Sequence, residues 1–273
     1  MTLRVSNLWI HPVKSCRAVE AAVIELDELG VSGDRRFLIT APDGRMLTQR
    51  SHPGLARITA RYEGGTLVLA ADGHDPVRLP RHATGGRSVT TSVWNSGGLL
   101  AEDCGPEPAD WLSHVLRERV QLLRIGRQFD RPVNGHPNDR VSFTDGYPLL
   151  VLTEASLEAL NHRLAERGQD PVPMTRFRPN LVISGATAHA EDTWTRIRIG
   201  NTIVLRGATP CARCIMTTTD QVTGQRSGPE PLRTLAMYRR NPDEPQEVWF
   251  GRNMVNETKH GRIQVGDAVE ILG

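Results

Sequence analysis

The feature that most restricts the fold of this chain is how turn signals cut its first hundred residues into short apolar or β-branched runs. Runs near 3–10, 19–26, 36–40, 56–62, 66–71 and 87–94 are separated by LGVSGD, PDGR, EGG and ATGG. That spacing leaves no room for long helices and predicts a small antiparallel barrel or sandwich. The first helical pattern comes at 108–119. There PADWLSHVLRER sets Trp111, Leu112, Val115 and Leu116 on one face, with Pro108 suited to a first turn.

The rest of the 273 residues mixes elements. Residues 127–140 (RQFDRPVNGHPNDR) are polar and aperiodic and read as a boundary loop, which places a first domain over 1–124 and a second over 125–273. Beyond it, a buried strand at 148–152 leads into a helix at 154–166 with a Leu157, Leu160, Leu164 stripe and a Thr153 cap. Strands are expected at 180–184, 194–199, 202–206 and 214–219. A helix carrying Leu232, Leu235 and Met237 follows Pro229 and Pro231, and strands near 247–250 and 262–271 close the chain. The fold class is β-rich α+β, with a small barrel-like first domain.

Charge excludes some functions. Charged residues make up 23% of the chain and cancel to +2, so bulk charge gives no grip on nucleic acid and any anion site is local. No run approaches the roughly 18 apolar residues of a membrane span, and MTLRVSNLWIHP lacks the pattern of a signal peptide, so a cytoplasmic location is expected. Of 33 basic residues only Lys14 and Lys259 are lysines, which singles out Lys14, flanked by Pro12, Val13 and Ser15.

Four cysteines (Cys16, Cys104, Cys211, Cys214) make a disulfide scaffold improbable in a chain this long. The segment PCARCIMTTTDQVTG, 210–224, places Cys211 in a loop and Cys214 at the start of a strand. Four readings stand open: a zinc site completed by Cys16 and Cys104, a thioredoxin-like redox pair, inert buried thiols, or a thiolate ligand for a soft or redox-active metal, with Arg213 lowering the thiol pKa. The strings HPVKS (11–15), GDRRF (33–37), FTDGYP (143–148) and RFRPN (176–180) add Lys14, Arg35, Arg36, Arg176 and Arg178 as cations. Ser15 and Asn180 are neutral partners and Asp145 is a lone carboxylate, a set suited to a phosphate-bearing anion. Taken singly, each arginine is ordinarily a solvated side chain, Asp145 a turn carboxylate and His11 a packing residue.

In order, HPVKS, GDRRF, TDGYPLLVLTEASL, RFRPNLVISG, PCARCIMTTTD and VGDAVEIL resemble the MOSC proteins that carry an N-terminal MOSC barrel domain, in particular the amidoxime-reducing components and their bacterial relatives. The resemblance spans residues 3–273 and implies an N-terminal MOSC barrel followed by a MOSC β-barrel. It also implies a molybdenum cofactor, a pterin dithiolene with one phosphate, ligated by Cys214, with Cys211 accessory. Its cofactor contacts carry over to Lys14, Ser15, Arg35, Arg178, Asn180 and Arg213. Asp145 matches an acidic residue near the metal, with Thr144 beside it, and a raised pKa would suit Asp145 to proton donation. The implied reaction reduces N-hydroxylated compounds by oxygen-atom abstraction, with electrons from a separate ferredoxin, cytochrome b5-like or flavin reductase partner, and without nucleic acid or membrane. The alternative is a cofactor carrier or sulfur-transfer protein without turnover. Ala212, where relatives often have serine, and Gly146 and Tyr147, in place of smaller polar residues, are departures.

Overall fold

The computed structural model describes residues 2–273. Its largest sheet has eight strands, in the order Val19–Ala21, Arg4–Ile10, Leu181–Ser184, Leu149–Thr153, Trp249–Asn256, Ile203–Ala212, Arg196–Ile199 and Val269–Ile271. Leu149–Thr153 and Leu181–Ser184 run parallel, and the other neighbours run antiparallel. A parallel pair needs a crossover, which the helix Glu154–Ala165 provides. The helix starts where expected, with the Ser156 N–H donating to Thr153 Oγ1 at 3.2 Å. Leu160 and Leu164 pack it onto Leu152, Phe177, Val182 and Phe250.

Two smaller sheets form the first domain's barrel-like core. One joins Phe37–Thr40, Gln121–Ile125, Ser96–Asp103 and Ser88–Val93, and the other is the meander Thr59–Glu63, Thr66–Ala71, His74–Pro80. They bury Phe37, Ile39, Leu55, Ile58, Leu67, Leu69 and Leu122, against which the helix Pro106–Leu116 sets Leu112, with Trp111, Val115 and Leu116 partly buried. The strands before residue 32 pair elsewhere, although Val13 and Cys16 between them pack into this core. Arg4–Ile10 pairs with Leu181–Ser184, and Val23–Asp27 lies between Gly261–Gln264 and Gly30–Val31. Val5, Leu8 and Ile24 therefore share a core with Val151, Leu181, Ile203 and Met254.

Three local expectations are corrected. Residues 214–219 are not a strand: the strand Ile203–Ala212 runs through Cys211, and Ile215–Thr218 is a 3₁₀ turn with Cys214 at its N-cap. The threonines look strand-forming, but Thr217 Oγ1 donates back to Cys214 O (3.0 Å) and Thr218 Oγ1 to Ile215 O (2.8 Å), bonds that favour the turn. The polar stretch 127–140 contains a hairpin of Pro132–Val133 and His136–Arg140. The helix Leu232–Leu235 is one turn long and leaves Met237 exposed rather than in a core stripe. Among the described residues, no helix is long and apolar enough to cross a membrane.

Candidate cofactor-binding site

Three of the polar strings converge because backbone bonds strap them together. Lys14 N–H donates to Phe37 O (2.9 Å), Arg35 N–H to His11 O (2.7 Å) and Phe143 N–H to Arg35 O (3.1 Å). Beneath them the buried Asp34 accepts from the His11 N–H (2.7 Å) and from Arg35 Nη1 (2.5 Å). Burial would raise the Asp34 pKa, but Arg35 and His11 hold it well below the usual carboxylate range. His11 is a fully buried packing residue, and burial together with Arg35 lowers its pKa, which keeps the imidazole neutral.

These straps, the 3₁₀ turn Met174–Phe177 and the Cys211–Cys214 segment wall one open cavity. The nine residues that the resemblance selects all line it: Lys14, Ser15, Arg35, Thr144, Asp145, Arg178, Asn180, Arg213 and Cys214, whereas Arg36, expected among the cations, does not and instead donates to Asp27 at 2.6 Å. Arg50, Arg176 and Cys211 line it too, so six cations face a single carboxylate. Ser15 (φ 68°), Arg35 (φ 47°) and Arg178 (φ 56°) all have left-handed backbone. Each such residue costs on the order of 1–2 kcal/mol, and strain of this kind concentrates at functional sites.

The side chains are held but not saturated. Asn180 Oδ1 accepts from the Leu150 N–H (3.2 Å) and from Arg35 Nη1 (3.3 Å), while Arg35 Nη2 donates to Arg178 O (3.1 Å). Arg178 Nη1 donates to Cys16 O (2.7 Å), and Arg213 donates to Phe177 O (2.7 Å) and to Cys211 Sγ (2.9 Å). Ser15 Oγ, Arg50 Nη1, Thr144 Oγ1, Arg176 Nε, Arg178 Nη2 and Arg213 Nε are nonetheless buried without a partner. Buried polar atoms are nearly always paired, so six orphans on residues that line one cavity form a set that an acceptor-rich group would satisfy.

Asp145 bonds Lys14 Nζ, lies 3.5 Å from Arg50 Nη2 and accepts from Trp94 Nε1 at 3.1 Å. Desolvation would raise its pKa, but Lys14 and Arg50 outweigh it and hold the carboxyl far below its usual range. The raised pKa is an expectation for this carboxylate beside a bound anion; in the protein on its own the two flanking cations, which the sequence does not show, keep it low. Burial pushes Lys14 down to about 8, against the opposing pull of Asp145. Arg213 Nη1 donates to Cys211 Sγ: burial raises the Cys211 thiol and Arg213 opposes the rise.

Residues 2–119 match the MOSC N-terminal beta barrel domain, and residues 138–270 match the MOSC domain. The chain belongs to the MOSC family. Mitochondrial amidoxime-reducing component 1 of Homo sapiens is 36% identical over 285 residues, covering 98% of this chain and 83% of that protein. Mitochondrial amidoxime reducing component 2 of Bos taurus is 34% identical over 281 residues, covering 97% and 82%. Family membership ties this MOSC protein to molybdenum-cofactor chemistry.

The residues present fit such a group. A phosphate-bearing pterin is an acceptor-rich anion, and the cavity offers it six cations and six unused polar atoms. Cys214, without a hydrogen bond to its sulfur among the described residues, is the thiol available to a soft metal, whereas Cys211 already accepts from Arg213. No three His, Cys, Asp or Glu side chains converge among the described residues, so a zinc set drawing in Cys16 and Cys104 is not assembled.

Sequence reasoning missed Arg50, Arg131 and Trp94. Arg131 clamps the Asp145 loop by donating to Ser142 O (2.9 Å), Thr144 O (2.7 Å) and Asp145 O (2.9 Å). In a chain with 31 arginines, neither Arg50 nor Arg131 carries a signal of its own. Trp94 stands at a hairpin tip, where its identity was the only available clue.

Proposed function

We propose that this MOSC protein is a cytoplasmic, molybdenum-cofactor-dependent reductase of N-hydroxylated compounds, amidoximes and hydroxylamines among them. The observation that carries the reading is the single cavity with six unpartnered polar atoms and six cations beside Cys214. In this reading Lys14, Arg35 and Arg178 hold the cofactor's phosphate end, Ser15, Thr144 and Asn180 complete its hydrogen bonds, Arg213 flanks the pterin, and Cys214 ligates the metal. Bound there, the group supplies two-electron removal of the N-bound oxygen. The balance is N–OH plus two electrons and two protons to N–H plus water.

The chain's own work is binding and proton handling. Leu149, Leu150 and Phe177 wall the polar cavity with apolar surface, which strengthens each charge-assisted bond to the anion. A bound anion shares the charge of Lys14 and Arg50, so their hold on Asp145 weakens and its proton affinity rises. Asp145 Oδ2 then takes up a proton from solvent and delivers it to the departing oxygen.

Electrons come from a separate donor protein of the ferredoxin, cytochrome b5-like or flavin reductase kind. A plant-type cluster needs four spaced cysteines, and here only Cys211 and Cys214 are close in sequence. The chain also has no G-x-G-x-x-G or P-loop fingerprint for a nucleotide. The test is turnover of benzamidoxime by molybdenum-loaded protein. Turnover with reduced viologen but not with NADH alone is expected. NADH-driven turnover by the single chain contradicts the separate donor, and no turnover with any reductant despite full loading favours the carrier reading.

A further inference from the structure

Trp94 packs against three residues that line the cavity, Lys14, Arg50 and Asp145, and nothing in the cofactor reading uses it. It joins the strands Ser88–Val93 and Ser96–Asp103 in a two-residue turn, Trp94–Asn95, closed by the pairing of Val93 with Ser96. Its φ is 52°, a value that two-residue hairpin turns ordinarily give to glycine or asparagine. Trp94 is the fourth residue around this site with left-handed backbone, out of six non-glycine cases among the described residues.

The ring is pinned on two sides. Its Nε1 donates to Asp145 Oδ1 at 3.1 Å, and the Arg50 guanidinium carbon lies 4.1 Å from the ring centroid, with Lys14 Nζ at 5.8 Å. These contacts fix the indole plane against three residues of the cavity's own wall. Even so, Trp94 is 41% exposed. A bulky aromatic held in a strained turn, with its polar edge satisfied and a guanidinium over its ring, still keeps surface open to solvent beside the cavity wall.

We propose that Trp94 is a specificity-determining residue whose exposed indole surface stacks against the planar, conjugated part of an N-hydroxylated substrate. The proposal rests on the reductase reading and refines it: the preferred substrates are flat and uncharged, because Arg50 and Lys14 beside the ring repel a cation. Stacking on a fixed indole adds affinity for an aromatic amidoxime that a small aliphatic one does not gain.

The experiment compares benzamidoxime with acetamidoxime on molybdenum-loaded protein, reading the ratio of KM values with reduced viologen and the ratio of Kd values by calorimetry. The parent chain prefers benzamidoxime. Trp94→Gly, which relieves the turn, lowers that preference about tenfold in both ratios, and Trp94→Phe, which keeps a flat ring, stays within about threefold of the parent. Trp94→Leu replaces the glycine variant should that fail to fold. If the glycine or leucine variant weakens both amidoximes equally, or leaves the preference unmoved, Trp94 only supports Asp145 and the proposal is overturned. If the loaded parent reduces neither amidoxime, the reductase reading falls, and the Kd ratio alone decides for or against stacking.

Discussion

Cys211 and Cys214 are three residues apart and in different surroundings. Cys211 lies next to last in the strand Ile203–Ala212 with its sulfur taken up by Arg213 Nη1, whereas Cys214 caps the following turn at the cavity wall. Cys214→Ser is expected to strip most of the molybdenum from protein made in a cofactor-synthesising host, and Cys211→Ser to keep most of it, as metal analysis of the two variants would show. Equal loss in both would point to a two-cysteine metal site. Lys14 sets a pH dependence. Its pKa in the free protein is about 8, below the ordinary lysine value, and a bound anion raises it. Anion binding then takes up a proton above pH 8, so affinity is flat below that value and falls by up to about tenfold per pH unit above it. Sulfate, which does not titrate in this range, is the probe. Calorimetry should show the break in the parent and none in Lys14→Arg, and a profile that rises above pH 8 would contradict the assignment. Most of this site was legible because its residues are unusual where they stand: a lysine among arginines, paired cysteines, an Arg-Pro-Asn string. Arg50 and Arg131 were not, since their roles depend on which carboxylate and which carbonyls the fold brings to them.

At the scale of elements, alternation and turn chemistry predicted most strands of the first hundred residues and the Thr153-capped helix. The misses have physical causes. The strand His74–Pro80 buries only Val77 and Leu79, too little apolar pattern to stand out. The strand Ser96–Asp103 has two glycines, Gly97 and Gly98, right after its first residue, and these read as turn. The turn after Cys214 follows from threonine hydroxyls bonding back to the chain, which a scale of strand preference does not register. One strand position is especially intolerant of change. Gly251, inside Trp249–Asn256, has φ 87°, and a Cβ there would lie 2.9 Å from Leu152 Cγ and 3.0 Å from Val151 O. Gly251→Ala is expected to cost about 2 kcal/mol or more and lower the melting temperature by several degrees. A thermal melt matching the parent would mean that this strand pair has room the structure does not show.

Across the whole molecule, the cavity exists because the chain folds back on itself. Arg4–Ile10 lies beside Leu181–Ser184, which brings HPVKS against RFRPN, and Trp249–Asn256 lies between Leu149–Thr153 and Ile203–Ala212, which brings FTDG and the cysteine pair to the same end. The order of the motifs along the chain was readable, but the pairing of the first strand with one some 170 residues later was not, because register between distant strands is decided by the shared core rather than by local pattern. The central claim is that this cavity holds a phosphate-bearing pterin with its metal on Cys214. Molybdenum and pterin content of the purified chain, produced in a host that makes the cofactor, tests it most directly. About one molybdenum and one pterin per chain is expected in the parent, and loss of both in a Lys14→Ala, Arg178→Ala double variant that still folds, since each charge-assisted contact to phosphate contributes about 1.5–3 kcal/mol. A well-folded parent without molybdenum or pterin, or a double variant that retains both in full, would contradict it.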